Sequence, residues 1–149
     1  MTPLYGATSK LLEFYESESV LNTLVRISPG ENPLLEENVD IIISELEDAH
    51  NTEPFTVLFC DEIASQSGRQ LPIEAITDFC ESRNIELVVD GTQSCQIFFG
   101  NRKQVLARID YFVMSTHKWI GKPIYIVKVN VRICFLYFFF SFFFVLLIF

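Results

Sequence analysis

The chain has 149 residues, a formal net charge of −8 and a pI near 4.7. This length allows one globular domain with a core, but it is short for a two-domain enzyme. The acidic balance argues against binding to a nucleic-acid backbone, which requires clustered Lys and Arg to neutralise phosphates. The four cysteines show no Cys-x-x-Cys spacing, so buried free thiols are expected rather than a zinc site or a disulfide framework.

The first part of the chain has the periodicity of two helices and two strands. Apolar residues over 11–15 indicate a short amphipathic helix, and a strand is predicted over 24–27. Apolar residues at i, i+3, i+4 and i+7 from Val39 predict a helix over 36–48. The continuous apolar run over 55–60 is typical of a strand that is buried on both faces of a parallel sheet.

Helix and strand continue to alternate through the middle of the chain. Pro72 suits the first position of a helix, which is predicted to end at Arg83 and Asn84. Strands are predicted over 85–89 and 111–114. This order predicts an α/β domain with a mostly parallel sheet. A dinucleotide-binding domain is the least favoured alternative, because the chain has no Gly-x-Gly-x-x-Gly turn.

Polar clusters follow three of the predicted strands, at 65–68, 90–94 and 115–118. Open parallel sheets bind ligands beyond the carboxyl ends of their strands, so we expect the three clusters to converge at one edge. Taken alone, Asp90 is more typical of a solvated turn or a helix cap. The pair His117 and Lys118 is likewise more typical of a charged loop. Only the combination indicates a site.

Two segments carry a recognisable pattern: Val-Val-Asp-Gly-Thr-Gln-Ser at 88–94 and Ile-Asp-Tyr-Phe-Val-Met-Ser-Thr-His-Lys-Trp-Ile-Gly at 109–121. They resemble the signature of the class V aminotransferase and cysteine desulfurase family, whose members depend on pyridoxal 5'-phosphate (PLP). The resemblance is clearest over 55–123. It implies an α/β fold over 1–127, namely the mostly parallel-sheet, three-layer large domain of a fold-type I PLP-dependent transferase, incomplete here.

The resemblance also implies a role for each polar residue, with PLP as the cofactor and no metal. Lys118 would be the Schiff-base lysine and the proton-shuttling base, and Asp90 would lie against the pyridine nitrogen. His117 and Ser115 would donate hydrogen bonds to the cofactor phosphate. Gln93 and Ser65 would approach the phenolic oxygen of the ring, although relatives often have Asn at the position of Ser65. The implied substrate is a small amino acid, and intact relatives are homodimers.

Parts of the family pattern are missing from this chain. No N-terminal phosphate loop is found, and no residue after Lys118 matches the arginine that binds the substrate carboxylate or the desulfurase nucleophile. The leading hypothesis is therefore a truncated PLP-dependent enzyme with weak or no activity. The alternative is a non-catalytic protein, anchored in a membrane by its tail, that keeps the scaffold for binding.

The apolar C-terminal tail over 128–149 has two explanations. As a helix, 133–149 would span about 25 Å, marginally enough to cross a bilayer, with Lys128 and Arg132 at its near edge. The N-terminus lacks a secretory signal, so the α/β domain is expected in the cytoplasm. A translated pyrimidine-rich intron would also encode such a run of Phe, Leu, Ile and Val. We favour this second explanation.

Overall fold

The computed structural model describes residues 6–18, 39–64, 68–94, 103–115, 124–129 and 132–137. Its elements, in chain order, are α1 (Gly6–Ser17), α2 (Val39–Thr52), β1 (Val57–Asp61), α3 (Ile73–Arg83), β2 (Glu86–Asp90), α4 (Lys103–Arg108), β3 (Tyr111–Ser115), β4 (Ile124–Val129) and β5 (Arg132–Tyr137). The helices and strands predicted between 55 and 114 are confirmed to within two residues, and the amphipathic helix around 11–15 is part of α1. The predicted strand over 24–27 lies outside the described residues.

The five strands form one sheet in the order β1-β2-β3-β4-β5. Strands β1, β2 and β3 are parallel, whereas β4 and β5 pair antiparallel to their neighbours. The prediction of a mostly parallel sheet therefore holds for β1 to β3. Helix α3 connects β1 to β2 and α4 connects β2 to β3, so both connections cross the sheet in the same direction. Connections of the same handedness that do this place their helices on the same face of the sheet.

The core lies between that face and the helices. Strand residues Leu58, Leu87 and Phe112 point to it and are at most 3% exposed. The helical residues packed with them include Leu46 and Ile76. The predicted burial of β1 on both faces is wrong, because Val57 is 48% exposed. In the described part of the chain, helices cover one face of the sheet, so the second helical layer of a three-layer domain is not seen there.

The end of α3 shows how local sequence positions β2. Asn84 has a left-handed backbone (φ 55°), and the N–H of Ile85 donates to the carbonyl of Cys80 at 2.9 Å. This arrangement is a Schellman motif, which satisfies the last carbonyls of a helix and turns the chain sharply. The chain enters β2 directly afterwards, as the Arg83-Asn84 stop signal predicted.

The apolar tail differs from its prediction where it is described. Residues 133–137 belong to β5, which pairs with β4 from Ile124↔Tyr137 to Val129↔Arg132. The predicted helix over 133–149 is therefore wrong for this segment, and 138–149 lies outside the described residues. No helix in the described ranges is long and apolar enough to cross a membrane.

Candidate functional site

The three parallel strands end at one edge of the sheet, called here the carboxyl edge and defined by Asp61 of β1, Asp90 of β2 and Ser115 of β3. Asp61 is the register partner of Asp90, and Asp90 is the register partner of Val113. Ser115 therefore lies two residues farther along, about 6.6 Å beyond the level of Asp90. The structure thus brings two of the predicted site residues, Asp90 and Ser115, to the same edge.

Asp90 is held by hydrogen bonds on its backbone and its side chain. Its carbonyl accepts a hydrogen bond from the N–H of Glu62 at 3.0 Å, which ties it to β1. Its carboxylate Oδ1 accepts one from the N–H of Thr92 at 2.8 Å. The side chain is partly exposed. Asp90 is therefore oriented by its neighbours and can still be reached by a ligand.

Gly91 follows Asp90 because a larger residue would not fit there. A Cβ at this position would lie 1.9 Å from Cζ at the tip of the Phe112 ring. The N–H of Gly91 donates to the carbonyl of Val113 at 2.8 Å, which continues the pairing with β3. The absence of a side chain at Gly91 thus leaves room for the Phe112 ring of the core.

A tight turn continues from Gly91 to Ser94, whose N–H donates to the carbonyl of Gly91 at 3.0 Å. Gln93 is exposed on this turn. Ser94 is buried, and its Oγ has no hydrogen-bond partner within the described part of the chain. The turn therefore exposes Gln93 three residues after Asp90 in the sequence.

A short hairpin-like loop leaves the carboxyl end of β1. Ile63 and Gln70 form an isolated antiparallel bridge, and the N–H of Leu71 donates to the carbonyl of Glu62 at 2.7 Å. Gly68 closes the loop with φ +71°, a left-handed conformation that favours glycine. Ser65 lies outside the described residues. His117 and Lys118 also lie outside them, directly after the end of β3.

Two buried acids at the edge, Asp61 and Glu62, were missed by the sequence reasoning. Asp61 is 4% exposed and Glu62 is 0% exposed, and Glu62 Oε1 accepts a hydrogen bond from Gln70 Nε2 at 2.9 Å. In the sequence, this Asp-Glu pair directly follows an apolar run, as Asp90 does, so the same pattern indicates it.

Cys60 and Cys80 are not poised as nucleophiles. Burial raises the pKa of the Cys60 thiol far above its usual range, and the nearby Cys80, Asp61, Glu62 and Asp90 add to the shift. Burial also raises the pKa of Cys80 to about 12. Both therefore remain protonated thiols at neutral pH, and a thiol reacts mainly as its thiolate.

Comparison with known proteins supports the fold alone. No protein-family model matches the chain, and no curated protein matches it significantly. One solved structure, the SepCysS-SepCysE N-terminal domain complex, is similar with a TM-score of 0.53 and 13% identity, over 67% of this chain and 28% of that one. Pyridoxamine-pyruvate aminotransferase from Mesorhizobium loti gives a TM-score of 0.41 and 23% identity, over 50% of this chain and 19% of that one.

The TM-score of the aminotransferase is too low to support a shared fold, so the fold similarity depends on the SepCysS-SepCysE structure. This chain spans less than a third of the length of either structure. The described α/β unit has part of the fold of PLP-dependent transferases.

Proposed function

We propose that this chain is part of a class V, fold-type I enzyme that binds PLP through Lys118 and transforms an amino acid. The observation that carries the proposal is the position of Asp90. It lies at the carboxyl end of β2, oriented by the N–H of Thr92 and still partly exposed. Strand β3, from which the chain continues to His117 and Lys118, ends at the same edge.

The fit of Asp90 to a pyridine nitrogen follows from charge and rigidity. A fixed carboxylate favours the protonated, cationic form of a ring nitrogen beside it. The acidic Asp61, which is the register partner of Asp90, adds negative potential at the same edge. Bound PLP supplies an electron sink for negative charge that develops on the substrate. Both carboxylates therefore suit a cationic ring better than an anionic ligand.

Lys118 is the proposed covalent attachment point for the cofactor. It follows the end of β3 by three residues in the sequence, and β3 ends at the carboxyl edge. Burial and a cationic neighbour both lower the pKa of an amine, and the unprotonated Nζ is the form that can bind an aldehyde. Lys118 Nζ would then take and return the proton of the substrate α-carbon.

The remaining polar residues are proposed to orient the cofactor. His117 and Ser115 would donate hydrogen bonds to its phosphate, and Gln93 and Ser65 would approach its phenolic oxygen. A small amino acid is the proposed substrate, a homodimer the proposed assembly, and the cytoplasm the proposed location. Desulfuration by Cys60 or Cys80 forms no part of the proposal, because neither thiol is poised as a nucleophile.

The proposal is tested by adding PLP to the folded chain and recording the visible absorbance of lysine-bound cofactor. We expect a band that is lost in Lys118→Ala and kept in Lys10→Ala, the matched control in α1. Circular dichroism of each variant checks that it is folded. A folded wild-type chain without the band, or equal bands in both variants, would contradict PLP binding at Lys118 and favour a non-catalytic scaffold.

A further inference from the structure

A groove lies between α2 and α3 on the outside of the helical layer, away from the carboxyl edge. It encloses about 480 Å³ and is lined by one face of each of these two helices. The lining residues are Val39, Asp40, Ile43, Ser44 and Glu47 of α2 and Ala75, Asp78, Phe79, Ser82 and Arg83 of α3. Each face covers about two helical turns, so the groove, called here the α2–α3 groove, is about 12 Å long.

The floor of the groove is apolar and part of it is uncovered. Val39 is 42% exposed although it is a large aliphatic residue. Ile43 is partly exposed and packs against the core at the base of the groove. Phe79 is only 3% exposed, because the Arg83 guanidinium lies 4.3 Å from its ring centroid. Covering Val39 and Ile43 would remove further apolar surface from water, which favours association.

The rim of the groove is acidic. Asp40, Glu47 and Asp78 carry carboxylates, whereas Arg83 is the one cationic side chain among the lining residues. Arg83 is already paired with Glu47, with 2.8 Å between Nη2 and Oε1. Asp78 pairs with Arg108 of α4, but its side chain is still 68% exposed, so a further cation can approach it at little desolvation cost. The rim and the net charge of −8 both favour a cationic partner.

The walls of the groove indicate the backbone form of that partner. Both walls are helices, whose backbone donors and acceptors are used internally, so they offer no free strand edge to an extended peptide. The aromatic Phe79 is covered, which disfavours a proline-rich segment that needs exposed rings. An amphipathic helix needs only an apolar floor and a complementary rim, and this groove has both.

The exposed α1 of a second copy fits the groove less well. Leu11 and Phe14 of α1 are 50% and 54% exposed, so α1 does offer apolar side chains. However, α1 carries Glu13 and Glu16 against a single cation, Lys10, so it lacks the excess positive charge that an acidic rim favours. Like charges in contact oppose association.

We propose that the α2–α3 groove binds a basic amphipathic helix of a partner protein, with apolar side chains on Val39 and Ile43 and Lys or Arg along the acidic rim. This interaction is independent of the proposed PLP chemistry, since the groove shares no residue with the carboxyl edge.

The test uses the full chain and a fluorescent helical peptide of about 15 residues, with Leu at i, i+3, i+4 and i+7 and Lys at the other positions. A second peptide has Glu in place of every Lys. Binding is followed by fluorescence polarisation at low and high salt. We expect the Lys peptide to bind at least about tenfold more tightly than the Glu peptide and to weaken at high salt.

The decisive variants are Val39→Arg in the groove and Val57→Arg on β1, because the two valines are 42% and 48% exposed and the change in charge is the same. Val39→Arg should weaken Lys-peptide binding at least about tenfold, and Val57→Arg by less than about twofold. Ser44 also lines the groove, so the Ser44→Arg variant is used instead if circular dichroism shows that Val39→Arg is unfolded. Equal weakening by both valine variants would overturn the proposal. So would a dimer of the free chain that only Val39→Arg dissociates, since a second copy would then occupy the groove.

Discussion

The helix-covered face of the parallel sheet and its carboxyl edge differ in the side chains that they bury. On the face, Leu87 and Phe112 are each 1% exposed and pack among apolar side chains. At the edge, the buried residues include the acids Asp61 and Glu62. Apolar burial stabilises the fold, whereas a buried carboxylate costs free energy that its partners must offset. The face therefore holds the sheet together, and the buried acids at the edge fit the proposal that a ligand binds there.

Phe112 joins the two regions, because its ring packs in the core and also lies against Gly91 at the edge. Phe112→Ala should have the largest effect and lower the free energy of unfolding by about 4 kcal/mol, since it leaves a cavity at a 1% exposed position. Urea denaturation followed by circular dichroism measures the change. A loss below about 2 kcal/mol would show that this part of the core is loosely packed.

Gly91→Ala tests the same contact from the edge. Its Cβ would lie 1.9 Å from the Phe112 ring, so the ring or the backbone must shift, and we expect a loss of about 3 kcal/mol in urea denaturation. The matched control is Gly68→Ala, which has open space around it and should lose about 1 kcal/mol through its left-handed backbone alone. If Gly68→Ala were the more damaging change, the packing explanation for Gly91 would be wrong. The double variant Gly91→Ala/Phe112→Leu should recover part of the loss.

Asp90→Asn separates binding from stability. Asn keeps an oxygen that can accept from the N–H of Thr92, so the free energy of unfolding should change by less than about 1 kcal/mol. Loss of a charged hydrogen bond to the ring nitrogen should weaken PLP binding by about ten- to a hundredfold in an absorbance titration.

The matched control for this change is Asp110→Asn, where Oδ2 accepts a hydrogen bond from the N–H of Leu87 at 2.9 Å near the other end of the sheet. That variant should alter stability more than PLP affinity. If Asp110→Asn weakened PLP binding and Asp90→Asn changed mainly the stability, the binding site would lie away from the carboxyl edge.

Arg108→Ala should have the smallest effect, since its ion pairs between α4 and α3 are exposed. Hydrogen bonding to Arg108 lowers the pKa of Glu81, so any stabilisation is present above the pKa of Glu81 in the unfolded chain and is lost as pH falls through the folded value. Urea midpoints of wild type and variant should therefore differ slightly at pH 7 and converge below about pH 4. A difference that grew on acidification would contradict this sign.

Much of the fold could be predicted because local patterns and tertiary contacts agree. The apolar runs before Asp90 and before Ser115 are strands at the expected positions, and Asn84 ends α3 as its sequence indicates. The short α4 was not predicted, because a six-residue helix is too short to show a clear period. The end of β1 was placed at Cys60, because an apolar-run criterion stops at the first charge although Asp61 is a buried strand residue.

Other features depend on contacts that a linear pattern does not contain. The need for glycine at 91 comes from the Phe112 ring, which reaches it only after α4 returns the chain to the sheet. The pairing of Asp61 with Asp90 depends on the register of β1 and β2. The run over 133–137 was predicted as helix because continuous apolar residues suit either element, and pairing with β4 makes it a strand.

The central claim is that the carboxyl edge holds PLP with Lys118 as its covalent partner. The most direct measurement is borohydride reduction of the folded chain with PLP, followed by peptide mass spectrometry to find the modified lysine. The account predicts one dominant adduct on Lys118 that is reduced about tenfold or more in Asp90→Asn. Adducts spread over exposed lysines such as Lys10, or equal labelling of Lys118 in the variant, would contradict it.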